Sequence, residues 1–221
     1  MYFKNRAEAG RILAKKLKDY SRENVSVVAL SEGGVIVGAQ IAMQIHANLM
    51  LLLTENIYLP GETDALAAMS SVGTFTYNNM FSAGELEGLT SEYHGFIEQS
   101  RLEKMHRLHV LVGKNGEIKK EYLRRHTIII VSDGLANGFS LDVAAEYFKS
   151  VPIKKLIVVT PLASVSAVDK MHLFGDEIIC LSVLPNYMGT DHYYEDNTVP
   201  AVQDLFRIVK AISLNWHHEP A

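Results

Sequence analysis

The sequence predicts an α/β fold: a parallel-sheet core with helices on both faces and an inserted lid or hood. Two observations carry this prediction, namely five short apolar runs and the helical patterns that lie between most of them. Nearly continuous apolar runs are typical of strands buried on both faces, and their alternation with helices indicates βαβ units with right-handed crossovers. The predicted strands are Val25 to Leu30, Leu49 to Leu53, Thr127 to Val131, Leu156 to Thr160 and Glu177 to Leu181.

The predicted helices follow the same order along the chain. Residues 6–20, RAEAGRILAKKLKDY, place their apolar side chains on one stripe and their charges on the other. A mostly apolar helix is predicted over residues 35–47, between the first two strands. Further helices are predicted over residues 141–151, 164–174 and 199–216.

Residues 54–125 interrupt this alternation, and we interpret them as a lid that folds over the edge of the sheet. Within them, residues 90–108 form a helical pattern with a plausible N-cap at Thr90 or Ser91. Residues 114–117, Lys-Asn-Gly-Glu, are a turn signal. Since no linker divides the chain, residues 1–221 are predicted to form a single domain that contains this insertion.

The composition argues against several classes of protein. Hydrophobic residues make up 48% of the 221 and charged residues 21%, which is typical of soluble domains. The net charge of −4 gives no reason to expect nucleic acid or an anionic membrane as a partner. The single cysteine rules out an internal disulfide. Because the N-terminus is charged from its start and no apolar run reaches the ~18 residues of a membrane span, we expect a cytoplasmic protein.

The stretch SDGLANGFS, directly after the third strand, is the strongest candidate site. Ligands bind beyond the carboxyl ends of parallel strands, where helix N-termini offer free amides and a partial positive charge. The amides of Ala136 to Ser140 are placed to surround a phosphate, and Asp133 to hold a sugar hydroxyl. The alternative is a plain strand-to-helix loop with Ser140 as the N-cap. No Walker-type or dinucleotide-binding glycine motif occurs in the chain.

Over almost its whole length the chain resembles the type I phosphoribosyltransferases. The resemblance rests on FKNRAEAGRILAKKL, on VVALSEGGVIVGAQIAMQIHANLMLLL, on LPGETDALAAMSSVG, on TIIIVSDGLANGFSLDVAAEYF and on KKLIVVTPLASVSAVDKMHLFGDEIICL. That family has a strand, two acids and a Gly-Leu-Ala-Thr-Gly-x-Thr turn that binds the ribose and 5′-phosphate of phosphoribosyl pyrophosphate. The resemblance implies a parallel sheet with a hood and, in active forms, a Mg²⁺-bound diphosphate.

Carried over residue by residue, the resemblance keeps the phosphate loop. Asp133 matches the second acid, which contacts a ribose hydroxyl, whereas Ser132 stands where the first acid is expected. A serine can bind a hydroxyl group, but it cannot stabilise a cation-like ribosyl transition state through charge. The implied phosphate-binding residues are Ala136, Asn137 (in place of the usual Thr), Gly138, Phe139 and Ser140.

The diphosphate end departs further from the family. The loop after the first strand reads Glu32, Gly33, Gly34 where these relatives have Arg-Gly-Gly, and Glu55 and Asn56 stand where Arg-Lys is usual. Like charges about 4 Å apart repel by about 1 kcal/mol in water and by several in a partly dry site. Glu32 either opposes the leaving diphosphate, points away from it, or helps to hold Mg²⁺ through water.

Two further groups of charged residues are weaker candidates for a functional site. His192 lies near Asp191, Glu195 and Asp196, but the spacing fits no metal motif, so we expect a loop at the mouth of the site and no protein-bound metal. The basic residues of the insertion are interpreted as a solvated helix face, with positive charge for the lid as the alternative. They are Arg101, Lys104, Arg107, Arg124 and Arg125.

Two functional hypotheses follow. One is a protein that binds a ribose 5-phosphate moiety, in a nucleotide or a related ligand, with lost or weakened transfer and a binding or regulatory role. The other is an active transferase that moves phosphoribosyl from phosphoribosyl pyrophosphate to a nitrogenous base or amine, with Mg²⁺ as cofactor. Glu32, Ser132 and Glu55 favour the first. For both we expect a small-molecule ligand and a homodimer.

Overall fold

The computed structural model describes residues 2–62, 64–113, 118 and 120–215. The strands in these residues are β1 (Val25–Ala29), β2 (Asn48–Leu51), β3 (Thr54–Tyr58), β4 (Ala65–Ser70), β5 (Phe75–Tyr77), β6 (Thr127–Val131), β7 (Lys155–Ser164) and β8 (Glu177–Leu184). The α-helices are α1 (Arg6–Lys16), α2 (Glu32–Ile45), α3 (Ala83–Glu92), α4 (His94–Val112), α5 (Phe139–Phe148), α6 (Val165–Phe174) and α7 (Val202–Asn215). None of the described helices is both long and apolar enough to cross a membrane.

The predicted parallel sheet is confirmed. Its five strands lie in the order β2-β1-β6-β7-β8, and every neighbouring pair is parallel. They correspond to the five apolar runs of the sequence, and β6 occupies the centre, paired with β1 and β7. A central strand of a parallel sheet is buried on both faces, which explains why all five residues of β6 are buried.

Alternate residues of β6 face the two helical layers. Ile129 and Val131 pack in a core cluster with residues of α1, α2 and α7. Ile128 and Ile130 pack in a second cluster with residues of α5 and α6. Because side chains alternate across a strand, one apolar run supplies both cores and holds its own carboxyl end rigidly between the two layers.

The segment after β2 forms a separate structure, an antiparallel sheet in the order β3-β4-β5 followed by α3 and α4. This sheet packs on α5 through the small residues Ala65 and Ala68, which contact Phe139 and Val143. Helix α4 reaches the main core with Leu108, Leu111 and Val112. The predicted turn at residues 114–117 lies outside the described residues.

The expected N-cap at Thr90 or Ser91 is wrong, because both residues lie inside α3. Thr90 donates its hydroxyl to the carbonyl of Leu86 at 2.6 Å, a local bond that a helical threonine commonly makes. The cap is Ser82, whose side chain accepts from the Glu85 amide while the Glu85 carboxylate accepts from the Ser82 amide. The predicted single helix is therefore two, with Tyr93 between them.

Candidate functional site

Two helix N-termini meet beyond the carboxyl ends of β1 and β6. Helix α2 begins at Glu32, with the Ser31 hydroxyl accepting from the Gly34 amide at 3.0 Å. Helix α5 begins at Phe139, after the loop 134–138. The structure thus brings the two candidate loops of the sequence, residues 31–34 and 132–140, to one end of the sheet, as the strand order requires.

The phosphate loop ends at Gly138, the N-cap of α5, which has a φ of +67°. Ser140 is therefore not the N-cap, and it lies in the first turn of the helix. Asn137 accepts from the Phe139 amide through Oδ1 at 3.0 Å. Among the described residues no acceptor is present for the amides of Ala136, Asn137, Gly138 and Ser140. Unpaired amides at a helix N-terminus are the groups that bind an anion.

Gly138 is required both by its dihedral angle and by its surroundings. A left-handed φ strains every residue that has a Cβ, and a Cβ here would lie 3.1 Å from the side chain of Lys170 and 3.3 Å from the Cα of Ala167. Lys170 forms an ion pair with Asp142, and its ammonium lies 5.3 Å from the centroid of the Phe139 ring. Residues of helix α6 therefore pack against the loop and leave no room for a side chain at residue 138.

Asp133 is the centre of a buried network that sequence reasoning missed. Its Oδ2 accepts from Arg6 Nε at 2.7 Å, and its Oδ1 accepts from the Ser31 hydroxyl at 2.6 Å. Arg6 is only 3% exposed, and it also donates to the carbonyl of Asn197 at 2.7 Å and to the Asp191 carboxylate. Its guanidinium carbon lies 4.7 Å from the ring centroid of Tyr194.

These partners stabilise the charged form of the Arg6 guanidinium. Burial alone would lower the pKa of its guanidinium, but the charge of Asp133 and the hydrogen bonds to Asp133 and Asp191 outweigh burial, so the pKa is raised. Arg6 therefore neutralises the one carboxylate at the end of β6. What remains on each Asp133 oxygen is one lone pair, enough to accept from a ligand hydroxyl.

The glycines of the other loop are explained by this network. A Cβ at Gly33 would lie 2.0 Å from Asp133 Oδ2 and 2.5 Å from Arg6 Nε. One at Gly34 would lie 2.8 Å from the Ser31 hydroxyl oxygen. Side chains from α1, from the loop after β6 and from Ser31 therefore pack against the first turn of α2, and its glycines allow this close approach.

Ser132 does not point its hydroxyl towards a ligand. It is buried, and its Oγ donates to the carbonyl of Gly134 at 2.9 Å. The residue that stands in place of the family's first acid thus stabilises the turn of its own loop.

The two acids at the diphosphate end are both paired with cations of α4. Arg107 lies 3.5 Å from a Glu32 carboxylate oxygen through Nη2 and 3.2 Å from Glu55 through Nη1. Lys104 lies 3.0 Å from the other oxygen of Glu55. Lys104 and Arg107 therefore belong to the site and are not only a solvated helix face. Arg101 instead lies over the ring of Phe75, 5.0 Å from its centroid.

These charges line one open cleft of about 540 Å³, which we call the site cleft. Its ionisable groups are three cations and four carboxylates: Arg6, Lys104 and Arg107, with Glu32, Glu55, Asp133 and Asp191. Each of these cations lies against at least one of these carboxylates. The cleft therefore has no excess of positive charge with which to bind a polyanion.

The segment 187–194 covers the other side of the strand end. The Tyr194 hydroxyl donates to the Asp133 carbonyl at 2.7 Å. A Cβ at Gly134 would lie 2.3 Å from the Tyr187 hydroxyl oxygen, and burial raises the pKa of Tyr187 to about 12. His192 contacts the Tyr2 hydroxyl at 3.0 Å while Asp191 binds Arg6. This segment thus lies at the mouth of the cleft.

The Mg²⁺ that the resemblance implies does not fit the donors at the end of β6. Mg²⁺ prefers oxygen ligands, commonly one or two carboxylates together with water and substrate phosphates. Here Ser132 bonds its own loop, Asp133 is shared by Arg6 and Ser31, and Glu32 contacts Arg107. Across the residues that the structure describes, no three His, Cys, Asp or Glu side chains are grouped so as to hold a metal ion.

Several of these ion-pair partners could not be identified from the sequence. Arg6 lies in an ordinary amphipathic helix, 127 residues from Asp133, and Lys104 lies 49 residues from Glu55. The one available signal was an imbalance of charge, because two acids at a predicted anion site require cations from elsewhere in the chain.

Comparisons with known proteins agree with this geometry. Two Mycobacterium tuberculosis proteins, from strains CDC 1551 and H37Rv, are each named a "putative phosphoribosyl transferase" and are 26% identical to this chain over 202 residues. The match covers 89% of this chain but 44% of each relative, so the chain spans less than half the length of these proteins.

A solved structure, that of TT1426 from Thermus thermophilus, has the same fold. It superposes with a TM-score of 0.71 at 23% identity, covering 98% of this chain and 99% of that one. A family model described as the phosphoribosyl transferase domain matches residues 1–179. The loop order, the central β6 and this match over most of the chain agree, and the chain belongs to the phosphoribosyl transferase domain family.

Proposed function

We propose that this chain binds a ribose 5-phosphate moiety, as in a nucleoside monophosphate, and that phosphoribosyl transfer is absent or very slow. The observation that carries the proposal is the contrast between the loop before α5 and the neighbouring site cleft. Four amides of residues 136–140 have no acceptor among the described residues, whereas the cations of the cleft are already matched by carboxylates.

The 5′-phosphate is assigned to the amides of residues 136–140. These amides surround the N-terminus of α5, and four of the five have no acceptor among the described residues. The free amides and the helix dipole together favour a dianion without any lysine. Asn137 remains able to donate through its side-chain NH₂ group while its oxygen caps Phe139.

The ribose is assigned to Asp133, which lines the cleft directly before the phosphate loop. Its remaining lone pairs can accept from a hydroxyl group, so a ribose is still recognised. Transfer requires more, since positive charge develops on the ribose ring as the leaving group departs. Arg6 offsets the charge of Asp133, and Ser132 supplies none.

A diphosphate on the anomeric carbon is disfavoured by Glu32 and Glu55. To bind it, Lys104 and Arg107 would have to exchange carboxylate partners for phosphate, and Glu32 would remain beside the new anion. Repulsion of this kind amounts to several kcal/mol in a partly dry site. A monophosphate avoids this repulsion, because it brings no second anionic group to Glu32.

Calorimetric titration tests the proposal. Nucleoside monophosphates or ribose 5-phosphate should bind more tightly than phosphoribosyl pyrophosphate with Mg²⁺, the reverse of the order for a working transferase. Diphosphate release should be measured in parallel, with a panel of purine and pyrimidine bases. Turnover of ~1 per second or faster would contradict the loss of transfer, and failure of every monophosphate to bind would contradict the binding role.

An active transferase is the second candidate, and one specific observation favours it. Lys104 and Arg107 bring two cations from α4 to the place where the family's loops carry theirs. If they release Glu32 and Glu55 when a ligand arrives, they would serve the diphosphate. The same titration distinguishes the candidates, because tight binding of phosphoribosyl pyrophosphate would favour the enzyme.

A further inference from the structure

A second cavity opens from the site cleft, and we call it the side cavity. Its volume is about 430 Å³, within the usual range of small-molecule pockets. It shares part of its wall with the site cleft and adds Phe96, Ser100 and Glu103 from α4; the shared residues are Glu55, Tyr58, Lys104 and Arg107. A ligand that begins at Asp133 can therefore continue past Glu32 into this space.

Two aromatic rings in the wall of the side cavity are exposed. Tyr58 is 45% exposed and Phe96 39%, so neither ring is needed to fill the core. Asn56 donates to the Tyr58 hydroxyl at 3.1 Å and restricts that ring. Exposed aromatic faces at the end of a cleft are suited to stacking against a flat heterocycle.

The wall that the two cavities share contains a carboxylate with one oxygen that accepts no hydrogen bond within the described residues. Glu55 is 14% exposed, and its Oε2 accepts from Lys104. Its Oε1 is fully buried and has no hydrogen-bond donor within the described part of the chain. Arg107 Nη1 lies 3.2 Å from it but without the alignment of a hydrogen bond. A buried acceptor without a donor is unfavourable, and a ligand N–H would relieve this.

Arg107 lies next to this oxygen but is not held firmly there. Its side chain is 63% exposed and is shared between Glu32 and Glu55. An exposed, long side chain in such a pair is held weakly and can move aside. The alternative ligand for this space is an anion on Lys104 and Arg107, and the carboxylates that already pair with both cations oppose it.

We infer that Glu55 selects the base of the bound nucleotide and favours a base with an exocyclic amino group, an inference that rests on the function proposed above. An ionised carboxylate can only accept hydrogen bonds. The amino group of adenine or cytosine donates to it, whereas the carbonyl oxygen of hypoxanthine or uracil at the same position repels it. A site that binds a ligand N–H discriminates strongly against the analogue that lacks it.

Calorimetry with matched nucleotide pairs tests the inference. AMP should bind at least ~10-fold more tightly than IMP, with CMP against UMP showing the same direction. In Glu55→Gln the ratio should fall to within about threefold, because an amide can both donate and accept. Glu98→Gln, an exposed residue of the same helix as Phe96 and outside both cavities, should keep the wild-type ratio.

A second variant separates stacking from selection. Phe96→Ala should weaken AMP and IMP by a similar factor, about tenfold, and leave their ratio unchanged. Equal binding of AMP and IMP to the unmodified protein would overturn the role of Glu55 while leaving the proposed ribose 5-phosphate site intact. Preference for IMP would also overturn it. If no monophosphate binds, the proposed function fails and the inference fails with it.

Discussion

The N-termini of α5 and α2 lie beyond neighbouring strands of the same sheet, yet their surroundings are opposite. Before α5, the amides of Ala136, Asn137, Gly138 and Ser140 have no acceptor among the described residues, and Gly138 has a left-handed φ. Before α2, Asp133 and Arg6 lie close to Gly33, and the Ser31 hydroxyl accepts from the Gly34 amide. A helix N-terminus is thus an anion site only where the protein does not satisfy it with its own side chains.

The difference also concerns charge. The phosphate site proposed before α5 needs no cation, because it depends on backbone dipoles whatever the side chains are. The α2 side depends on side-chain charge, and there Arg6, Lys104 and Arg107 are matched by carboxylates. Substitutions on the α2 side can therefore change its side-chain charge and leave the backbone amides before α5 in place.

The largest expected effect is on stability, from Arg6→Ala. Removing this buried guanidinium leaves Asp133 without its cation, which typically destabilises a protein by about 3–5 kcal/mol. Urea unfolding should show this loss in the free energy of unfolding. Arg11→Ala, on the exposed face of the same helix, should change stability by less than about 0.5 kcal/mol. A loss below about 1 kcal/mol for Arg6→Ala would mean that the network is not formed in solution.

Next in size is the loss of binding in Gly138→Val. The valine is strained at a φ of +67° and meets Lys170, so the loop must change shape and its amides no longer converge. Affinity for AMP should fall at least ~100-fold by calorimetry, equal to about 2.7 kcal/mol. Gly88→Val, where a Cβ meets nothing within 4 Å, is the matched control. AMP affinity that survives in a folded Gly138→Val protein would place the phosphate elsewhere.

A gain is expected from the double change Glu32→Arg with Ser132→Asp. It restores one cation at the α2 end and one carboxylate beneath the ribose, so affinity for phosphoribosyl pyrophosphate should rise about tenfold. Titration with Mg²⁺ present measures this. Glu92→Arg, exposed on α3 and outside the site cleft, makes the same charge change as Glu32→Arg alone and should have little effect. No gain in the double variant would show that Glu32 does not oppose the diphosphate.

The smallest effect is expected for Arg107→Ala. This side chain is 63% exposed, so its ion pairs are screened by water and should contribute less than about 1 kcal/mol to the free energy of unfolding. The contribution should shrink further at high salt. Lys149→Ala, in the exposed pair with Glu146, gives the reference value. A loss of unfolding free energy as large as that of Arg6→Ala would indicate that water screens the ion pairs of Arg107 far less than the exposure of its side chain suggests.

The sequence by itself determined the sheet and the position of the glycine turn before α5, since both depend on patterns local to the chain. Five nearly continuous apolar runs indicate a parallel sheet, and the run 127–131 forms its fully buried central strand. The glycine turn after it predicts the start of a helix within one or two residues, and α5 begins at Phe139.

Only the tertiary structure decided which charges meet. Arg6 and Asp133 are joined by the packing of α1 beside the sheet, and Lys104 and Arg107 meet the acids because α4 crosses back to the core. The sequence also left open whether the helix begins after Ser82 or near Thr90, since either residue type can cap a helix. In the structure the N-cap of α3 is Ser82. Apolar periodicity records how each segment is buried, but an ion pair between distant segments has no periodicity, and folding alone brings its partners together.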